Sequence, residues 1–330
     1  MIIVKTPFRV SFAGGGSDLS AFYSRGHGAV VSSTIDKFMY IMIHPYFHDK
    51  IRIKYSRTED VSTVNKIRHP LVRECLALMK IERGIEIASI ADVPAGTGLG
   101  SSSAFTVGLL NALSKHSNVS RSPAWLAKTA CEIEIEKVGD PIGKQDQYAV
   151  AFGGMNYICF NADGSVCVEP IRMKPDARKR LQENTLLFYV GRERRASVIL
   201  EGQTKRMTDR NTYNKVCRMV NLAKKMKDVL QEGVLEQFGT LLHEGWMLKR
   251  ELAKGITDPA LDDVYSRALE AGATGGKLLG AGGGGFFLFY CPGKYRSRLR
   301  RALKLRELRF RFCEEGSMVV FCDREGGCRG

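Results

Sequence analysis

The chain has 330 residues, of which 44% are hydrophobic, and a formal net charge of +15, so it can build one large or two modest domains with buried cores. No stretch approaches the roughly 18 apolar residues that a membrane-spanning helix needs, and residues 1–10 turn polar too early for a signal peptide; we therefore expect a cytoplasmic protein without membrane contacts. The nine scattered cysteines contain no CxxC pair and support neither a zinc site nor a disulfide framework.

The first half of the chain alternates between strand-like and helix-like patterns. In chain order, the predicted elements are several strands within 1–60, a helix near 68–82, a strand at 85–90, a glycine-rich turn at 94–100, helices at 103–113 and 124–138, and a strand at 153–160.

The second half is more helical and more basic. Its predicted elements are a strand at 186–191, long helices up to about residue 252, a glycine-rich hairpin at 275–290, a basic helix, and a last strand at 317–322. Strands and helices do not alternate as βαβ units, so we predict an α+β fold with antiparallel sheet. We predict two domains, residues 1–170 and residues 171–330.

The segment PAGTGLGSSSA, residues 94–104, is typical of a phosphate site. Glycines let the backbone turn tightly and approach a ligand closely. The serines open an apolar helix, whose free N–H groups and positive dipole end attract anions. The spacing fits neither a Walker A loop nor a dinucleotide fingerprint. A flexible turn with a serine N-cap has a similar sequence, so the pattern alone leaves both interpretations open.

Three segments in order resemble the signatures of the GHMP kinases, the superfamily of galactokinase, mevalonate kinase and homoserine kinase. The first signature is matched by PFRVSFAGGGSDL (7–19), the second by residues 94–104, and the third by KLLGAGGGGFF (277–287). The resemblance implies a ribosomal-protein-S5-like N-terminal domain that binds ATP, a ferredoxin-like C-terminal domain, and an active site between them.

The resemblance also implies which residues contact the nucleotide. The second segment would wrap the ATP phosphates, and the third would support that loop and lie near the substrate. The implied nucleotide contacts are Pro94, Gly96, Gly98, Leu99, Gly100, Ser101, Ser102 and Ser103.

A catalytic aspartate and an arginine are implied by the same resemblance. The stretch DPIGKQDQYA resembles the superfamily's catalytic segment, and its aspartate is Asp146. Asp146 would accept the proton of the acceptor hydroxyl or orient that hydroxyl. Arg9 would stabilise ionised Asp146 or the transferring phosphoryl group. Asp18 matches the aspartate that holds sugar hydroxyls in galactokinases.

Glu134 is the predicted magnesium ligand. It precedes Asp146 by twelve residues, close to the spacing in related kinases, and shares a helical stripe with Cys131. The segment carries one residue more than in mevalonate kinases, which leaves Glu136 as an alternative. Mg²⁺ prefers oxygen ligands and keeps several waters, so one glutamate and one serine suffice beside the phosphates. By resemblance that serine is Ser102, with Ser101 as the second choice.

The first signature departs from the galactokinase pattern. Galactokinases and mevalonate kinases have Gly-Glu-His where this chain has three glycines, 14–16. The glutamate that contacts the sugar is therefore missing, which argues against galactose as the substrate. The stretches AGGGSDL and GKQDQYAVAFGG (143–154) resemble the D-glycero-D-manno-heptose 7-phosphate kinases and their fucokinase-like relatives. That resemblance implies phosphorylation of the anomeric C1 hydroxyl to a 1,7-bisphosphate, for nucleotide-activated heptose and cell-surface polysaccharide synthesis. The implied substrate contacts are Gly15, Gly16, Ser17, Asp18, Gly143, Gly282, Gly283 and Gly284.

Arginines gather at the turn after the strand at 186–191. Arg192 and Arg194 precede a predicted helix, where a sugar phosphate could bind. A basic, solvated helix start explains the same pattern equally well. A kinase of a free sugar has less use for this cluster, which favours a phosphorylated acceptor and adds both arginines to the predicted substrate site.

Other functions are open on the sequence alone. One alternative is a kinase of an unphosphorylated sugar such as L-fucose, and another is a catalytically silent sugar sensor of the same superfamily. The +15 charge raises nucleic-acid binding, but clustered basic and aromatic stripes are missing, so we expect no nucleic-acid partner. The expected ligands are a sugar phosphate, ATP and Mg²⁺, and a homo-oligomer is compatible with the sequence.

Overall fold

The computed structural model of the chain describes residues 1–191 and 196–323. Within these residues, two β-sheets are covered by helices. No helix in this part of the chain has the length and apolar character needed to cross a membrane.

The first half of the chain supplies seven strands and five helices. The strands are β1 (Ile2–Ala13), β2 (Gly28–Pro45), β3 (Ile51–Lys54), β4 (Thr58–Val61), β5 (Ile85–Ala91), β6 (Met155–Phe160) and β7 (Val166–Pro170). The helices are α1 (Ser20–Tyr23), α2 (Pro70–Leu78), α3 (Ser101–His116), α4 (Pro123–Cys131) and α5 (Gln145–Phe152). A π-helical turn, Glu132–Lys137, extends α4.

The described part of the second half supplies six strands and six α-helices. The strands are β8 (Thr185–Tyr189), β9 (Gly275–Leu278), β10 (Phe286–Tyr290), β11 (Arg306–Leu308), β12 (Phe312–Cys313) and β13 (Met318–Cys322). The helices are α6 (Pro175–Asn184), α7 (Ala196–Arg206), α8 (Arg210–Glu232), α9 (Phe238–Lys249), α10 (Pro259–Glu270) and α11 (Arg296–Leu303).

The two sheets differ in size. The larger has nine strands, with the order β13-β1-β2-β5-β3-β4 and with β6, β7 and β12 attached through β2. The smaller has the order β11-β8-β10-β9. Among the described strands every pairing is antiparallel except that of β3 with β5. The predicted α+β class with antiparallel sheet is therefore confirmed.

Strand β1 carries the first glycine-rich segment into the protein interior. Its burial alternates from Ile2 to Lys5, and from Thr6 onward every residue is buried. A strand buried on both faces normally excludes charge. Arg9 lies in this buried stretch, with only 3% of the residue exposed, so its guanidinium needs a partner inside the protein.

Two helices show how sequence determines the layers. Helix α3 follows Gly100, which has a left-handed backbone (φ 76°), and packs against β1 and β2. Helix α8 is amphipathic: Asp209 caps its first turn by accepting from the backbone N–H of Thr212 at 2.9 Å, and Gly233 ends it in the left-handed conformation. Its basic residues lie largely on the exposed face, as charge runs usually do.

Two details of chain organisation were not predicted. The helix expected over 124–138 is α-helical only to Cys131 and then widens into the π-helical turn. The last two strands leave the smaller sheet, and β13 pairs with β1 while β12 pairs with β2. The domain boundary between residues 170 and 171 stays a prediction.

Candidate active site

A cleft lies where the glycine-rich segments of the two halves meet. Its wall combines the turn after β1, the loop before α3, the start of α5, the loop between β9 and β10, two residues of α7 and one residue of α9. The lining residues are Arg9, Gly15, Gly16, Asp18, Leu19, Gly96, Gly98, Gly100, Ser101, Ser102, Ser103, Ile142, Gly143, Gln145, Asp146, Leu200, Gln203, Lys249, Leu279, Gly280, Ala281, Gly282 and Gly284.

The loop over residues 94–100, which we call the phosphate loop, lines this cleft with Gly96, Gly98 and Gly100. Gly96, Gly98 and Gly100 all have positive φ, at 76°, 81° and 76°, a region that side chains make costly. Helix α3 starts directly behind Gly100, and no side chain caps it. Its first N–H groups are therefore open to an anion, which favours a phosphate site over a serine-capped turn.

The loop over residues 279–285, which we call the third glycine segment, lies directly on the phosphate loop. A Cβ on Gly98 would come within 2.6 Å of the carbonyl oxygen of Leu279, and one on Gly280 within 2.6 Å of the Cα of Gly98. A Cβ on Gly285 would meet the carbonyl of Thr97 at 2.2 Å. Glycine is required at these positions because two backbones touch.

Arg9 and Asp146 form a two-point ion pair at the floor of the cleft. The Nε and Nη2 atoms of Arg9 donate to the two carboxylate oxygens of Asp146, both at 2.7 Å. The Nη1 atom of Arg9 donates to the carbonyl of Gly98 at 2.6 Å. Asp146, in the first turn of α5, keeps 23% of its side chain exposed to the cleft. This fork geometry fixes the carboxylate beside the phosphate loop.

Asp18 lies in the same cleft and is almost fully buried. Its carboxylate accepts from the backbone N–H of Gly16 at 2.9 Å and of Gln145 at 3.3 Å. Gly143 packs against it so closely that a Cβ there would come within 1.9 Å of Oδ2. Burial, followed by the nearby charge of Asp146, raises the pKa of Asp18 above its usual value. Asp18 therefore joins the turn after β1 to the start of α5.

Glu134 is completely buried beneath the start of α3. Its Oε1 accepts from the hydroxyls of Ser102 at 3.2 Å and Thr106 at 2.8 Å. Its Oε2 accepts from the Ser103 hydroxyl at 2.9 Å and from the Gln147 amide. Burial raises the pKa of Glu134 to about 7, although the hydroxyl donors oppose this effect.

The surroundings of Glu134 fit a magnesium ion. Within the described chain this carboxylate has no basic side chain beside it, so a cation would satisfy a buried charge. The oxygens of Glu134 and Ser102 are the hard ligands that Mg²⁺ prefers. The site offers a single carboxylate, and nowhere in residues 1–191 and 196–323 could a group of three or more His, Cys, Asp or Glu residues hold a metal. Glu136, the alternative ligand, is exposed.

Some predicted site residues do not line the cleft. Ser17 is buried, and its hydroxyl donates to the carbonyls of Gly14 and Ala29. Leu99 is buried and gives its carbonyl to the backbone N–H of Arg9 at 3.0 Å. Gly283 donates its N–H to Ile256, and Pro94 stays outside the lining. Arg192 and Arg194 lie outside the described residues.

Three polar residues on the cleft wall were missed: Gln145, which begins α5, and the more deeply buried Gln203 and Lys249. Lys249 ends α9 and Gln203 lies in α7, and they are 5% and 2% exposed. One signal for Lys249 was available, because it continues the buried stripe of Leu242 and Trp246 on α9. A lysine at a core position of an apolar helix is unusual. For Gln203 the local sequence offers no comparable signal.

Two family models match the chain. The model described as GHMP kinases N terminal domain matches residues 66–154, and the model described as GHMP kinases C terminal matches residues 226–307. Together these ranges cover more than half of the chain. They contain the phosphate loop, the third glycine segment, Glu134, Asp146 and Lys249.

Individual relatives match nearly the whole length. A D-glycero-alpha-D-manno-heptose 7-phosphate kinase from Campylobacter jejuni is 28% identical over 333 residues, covering 96% of this chain and 97% of the relative. A galactokinase from Pyrococcus furiosus is 28% identical and covers 86% of this chain and 87% of its own. The crystal structure of a D-glycero-D-manno-heptose 1-phosphate kinase from Bacteroides thetaiotaomicron has a TM-score of 0.80 at 25% identity, covering 98% of this chain and 99% of that one.

Proposed function

The chain belongs to the GHMP kinases and is a sugar phosphotransferase with an alcohol acceptor, and on that premise we propose that its substrate is D-glycero-D-manno-heptose 7-phosphate. The reaction would move the γ-phosphate of ATP to the anomeric C1 hydroxyl and give the 1,7-bisphosphate. The observation that carries the proposal is the Arg9–Asp146 pair, held at 2.7 Å beside the open N-terminus of α3.

The residues divide the chemistry among them. The backbone N–H groups at the start of α3 bind the phosphates of ATP. The carboxylate of Asp146 accepts the proton of the C1 hydroxyl while the oxygen of that hydroxyl attacks the γ-phosphorus. The bond between the γ-phosphorus and the β–γ bridging oxygen breaks, which releases ADP. Arg9 keeps Asp146 ionised and oriented through two hydrogen bonds.

Glu134 and Ser102 are the residues that would hold Mg²⁺. When bound there, the ion would neutralise charge on the ATP phosphates. The four donors around Glu134 fix the position of its carboxylate, so the protein contributes a pre-formed oxygen ligand.

The acceptor is proposed from the turn after β1 and from the relatives. Gly15 and Gly16 leave open space at the cleft, since a Cβ on either would meet no other residue closer than 3.9 Å, and Asp18 presents a carboxylate to sugar hydroxyls. The names of two relatives include a heptose phosphate, although one has the phosphate at C7 and the other at C1. We place the reaction in the cytoplasm and assign its product to nucleotide-activated heptose synthesis.

ADP release across a panel of acceptors tests the proposal. The panel contains heptose 7-phosphate, heptose 1-phosphate, mannose 6-phosphate, L-fucose, galactose and mevalonate, each with Mg²⁺ and ATP. We expect the highest kcat/KM with heptose 7-phosphate, by about tenfold or more over the free sugars, because a site built for a charged group is left unpaired without it. Preference for a free sugar would contradict the heptose assignment, and silence on every acceptor would favour a sugar sensor.

The arginines after β8 provide a second test of the phosphorylated acceptor. Replacing Arg194 by Ala should raise the KM for heptose 7-phosphate about ten- to a hundredfold, because a charge-assisted contact to phosphate is worth roughly 1.5–3 kcal/mol. The KM for ATP should stay unchanged. Exposed Arg210, at the start of α8, serves as the control through Arg210→Ala. A rise in the KM for ATP alone would assign Arg194 to the nucleotide site.

A further inference from the structure

Two buried lysines lie beside the cleft, and the reaction scheme above uses neither of them. Lys249 at the end of α9 and Lys277 in β9 are each only 5% exposed. In residues 1–191 and 196–323, no carboxylate lies within ion-pair distance of either ammonium group. An ammonium group that is buried without a counter-charge lowers stability. Such a cost is tolerated most often where function requires it.

The side chain of Lys249 binds the backbone carbonyls at the start of the third glycine segment. Its Nζ donates to the carbonyl of Leu278 at 3.1 Å and to the carbonyl of Gly280. Both carbonyls belong to the stretch where the chain leaves β9 and turns toward the phosphate loop. Hydrogen bonds from a charged donor are about twice as strong as neutral ones, so one side chain fixes the start of the segment.

A chain of contacts links the third glycine segment to Arg9 and Asp146. Gly280 touches Gly98 backbone to backbone, and a Cβ added to Gly280 would lie only 2.6 Å from the Cα of Gly98. The carbonyl of Gly98 accepts from Nη1 of Arg9 at 2.6 Å, and Arg9 forms the ion pair with Asp146. Lys249, the third glycine segment, the phosphate loop, Arg9 and Asp146 therefore form one continuous line of contacts.

We propose that Lys249 is a positioning residue for phosphoryl transfer, which presses the third glycine segment onto the phosphate loop and thereby sets the place of Arg9 and Asp146. The proposal rests on the kinase function proposed above. It does not require Lys249 to touch either substrate, because its donors are directed to two carbonyls. Misplacing reacting groups by about 1 Å can lower a rate by roughly a hundredfold.

Four charged side chains act on Lys249, one each from β1, the turn after β1, β9 and α5. Arg9 on β1 and Lys277 on β9 disfavour its proton, while Asp18 after β1 and Asp146 on α5 favour it. Burial is the largest effect and lowers the pKa of Lys249 to about 7. Since the unfolded chain holds this proton up to about pH 10.4, the folded state is destabilised by Lys249 at neutral pH. Removing the charge should therefore not cost stability.

The central experiment compares Lys249→Met with Lys224→Met. Methionine is an unbranched side chain one heavy atom shorter than lysine and removes the charge, and Lys224 is an exposed residue of α8. For K249M we expect kcat to fall about 30- to 100-fold and both KM values to stay within about threefold. Its melting temperature should equal or exceed that of the wild type, which a purely structural lysine would not allow. K224M should behave as wild type.

Hydrogen exchange gives a readout that does not depend on turnover. In K249M the amides of residues 94–104 and 275–285 should exchange at least about tenfold faster, because the loop tie is lost. If these amides exchange at the wild-type rate in K249M, Lys249 does not hold the two loops together. This outcome is decisive even if no acceptor is found. Faster exchange with wild-type kcat would overturn the positioning role, and a wild type without turnover would instead contradict the kinase proposal.

Lys249→Arg supplies the conservative variant. Arginine stays charged at all working pH values, whereas Lys249 loses its proton as the pH rises through about 7. The kcat/KM of the wild type, which reports the free enzyme, should fall above that pH, and that of K249R should not. An identical alkaline decline in both proteins would overturn the role of this ammonium.

Discussion

Replacement of Asp146 by asparagine is expected to lower turnover about a thousandfold, within the range that general base catalysis contributes. Asparagine has the shape of the carboxylate and keeps one oxygen that can accept from Nε of Arg9, but its amide cannot take the proton of the acceptor hydroxyl. ATP should still bind, since its phosphates meet backbone groups of the phosphate loop. Steady-state ADP release and calorimetric titration with a nonhydrolysable ATP analogue measure the two effects.

Stability must be followed in the same variant. Arg9 is 3% exposed, and breaking a buried ion pair on one side costs roughly 3–5 kcal/mol. Thermal unfolding of the variant therefore decides whether lost turnover reflects lost fold. Asp176→Asn, at the exposed first turn of α6, removes the same charge far from the cleft and should leave turnover unchanged. Turnover of the Asp146 variant within threefold of wild type would rule out proton transfer to this residue.

The sequence predicted the fold class and the family because both depend on local patterns. Glycines at 96, 98 and 100, followed by a serine-led apolar helix, predicted either a phosphate loop or a serine-capped turn, and the structure gives all three glycines positive φ and shows no side-chain cap on the helix. The GHMP architecture, with an S5-like and a ferredoxin-like domain, is confirmed by the family models and by the structural likeness. The pairing of Arg9 with Asp146 joins residues 137 positions apart, and only the resemblance suggested it.

What the sequence could not predict depends on contacts between distant segments. Lys249 acquires its part in the cleft because α9 packs against β9, whose loop then reaches the phosphate loop. The last strand shows a strand pattern, but nothing in residues 317–322 indicates that its partner is β1. Strand pairing at such separation is a property of the whole fold rather than of the strand.

The segment around Glu134 shows an intermediate case. A regular helix over 124–138 was predicted, and the stripe through Cys131 placed Glu134 inward. The structure replaces the last part by a π-helical turn, which accommodates an extra residue within a helix and is frequent at functional sites. Glu134 reaches the hydroxyls at the start of α3, whereas Glu136 is exposed. Its role as magnesium ligand stays a prediction.

Replacing Glu134 by glutamine should lower kcat/KM for Mg²⁺-ATP by about a hundredfold or more. The amide preserves volume but carries no charge, and removing several kcal/mol of metal-linked stabilisation gives at least that factor. The hydroxyls of Ser102, Ser103 and Thr106 can rotate to accept as well as donate, so we expect little loss of stability. The concentration of free Mg²⁺ that gives half-maximal rate should rise, and a magnesium titration at fixed ATP measures it.

Glu136→Gln is the matched control, because it makes the same substitution two residues later on the same π-helical turn. Glu136 is exposed, whereas Glu134 is 0% exposed and accepts from four donors. Only E134Q should therefore change the magnesium dependence. If E136Q raised the magnesium requirement and E134Q did not, the ligand would be Glu136, and the buried carboxylate would serve to anchor the start of α3 to α5 through Gln147. A loss of turnover in E134Q at an unchanged magnesium requirement would support that anchoring role alone.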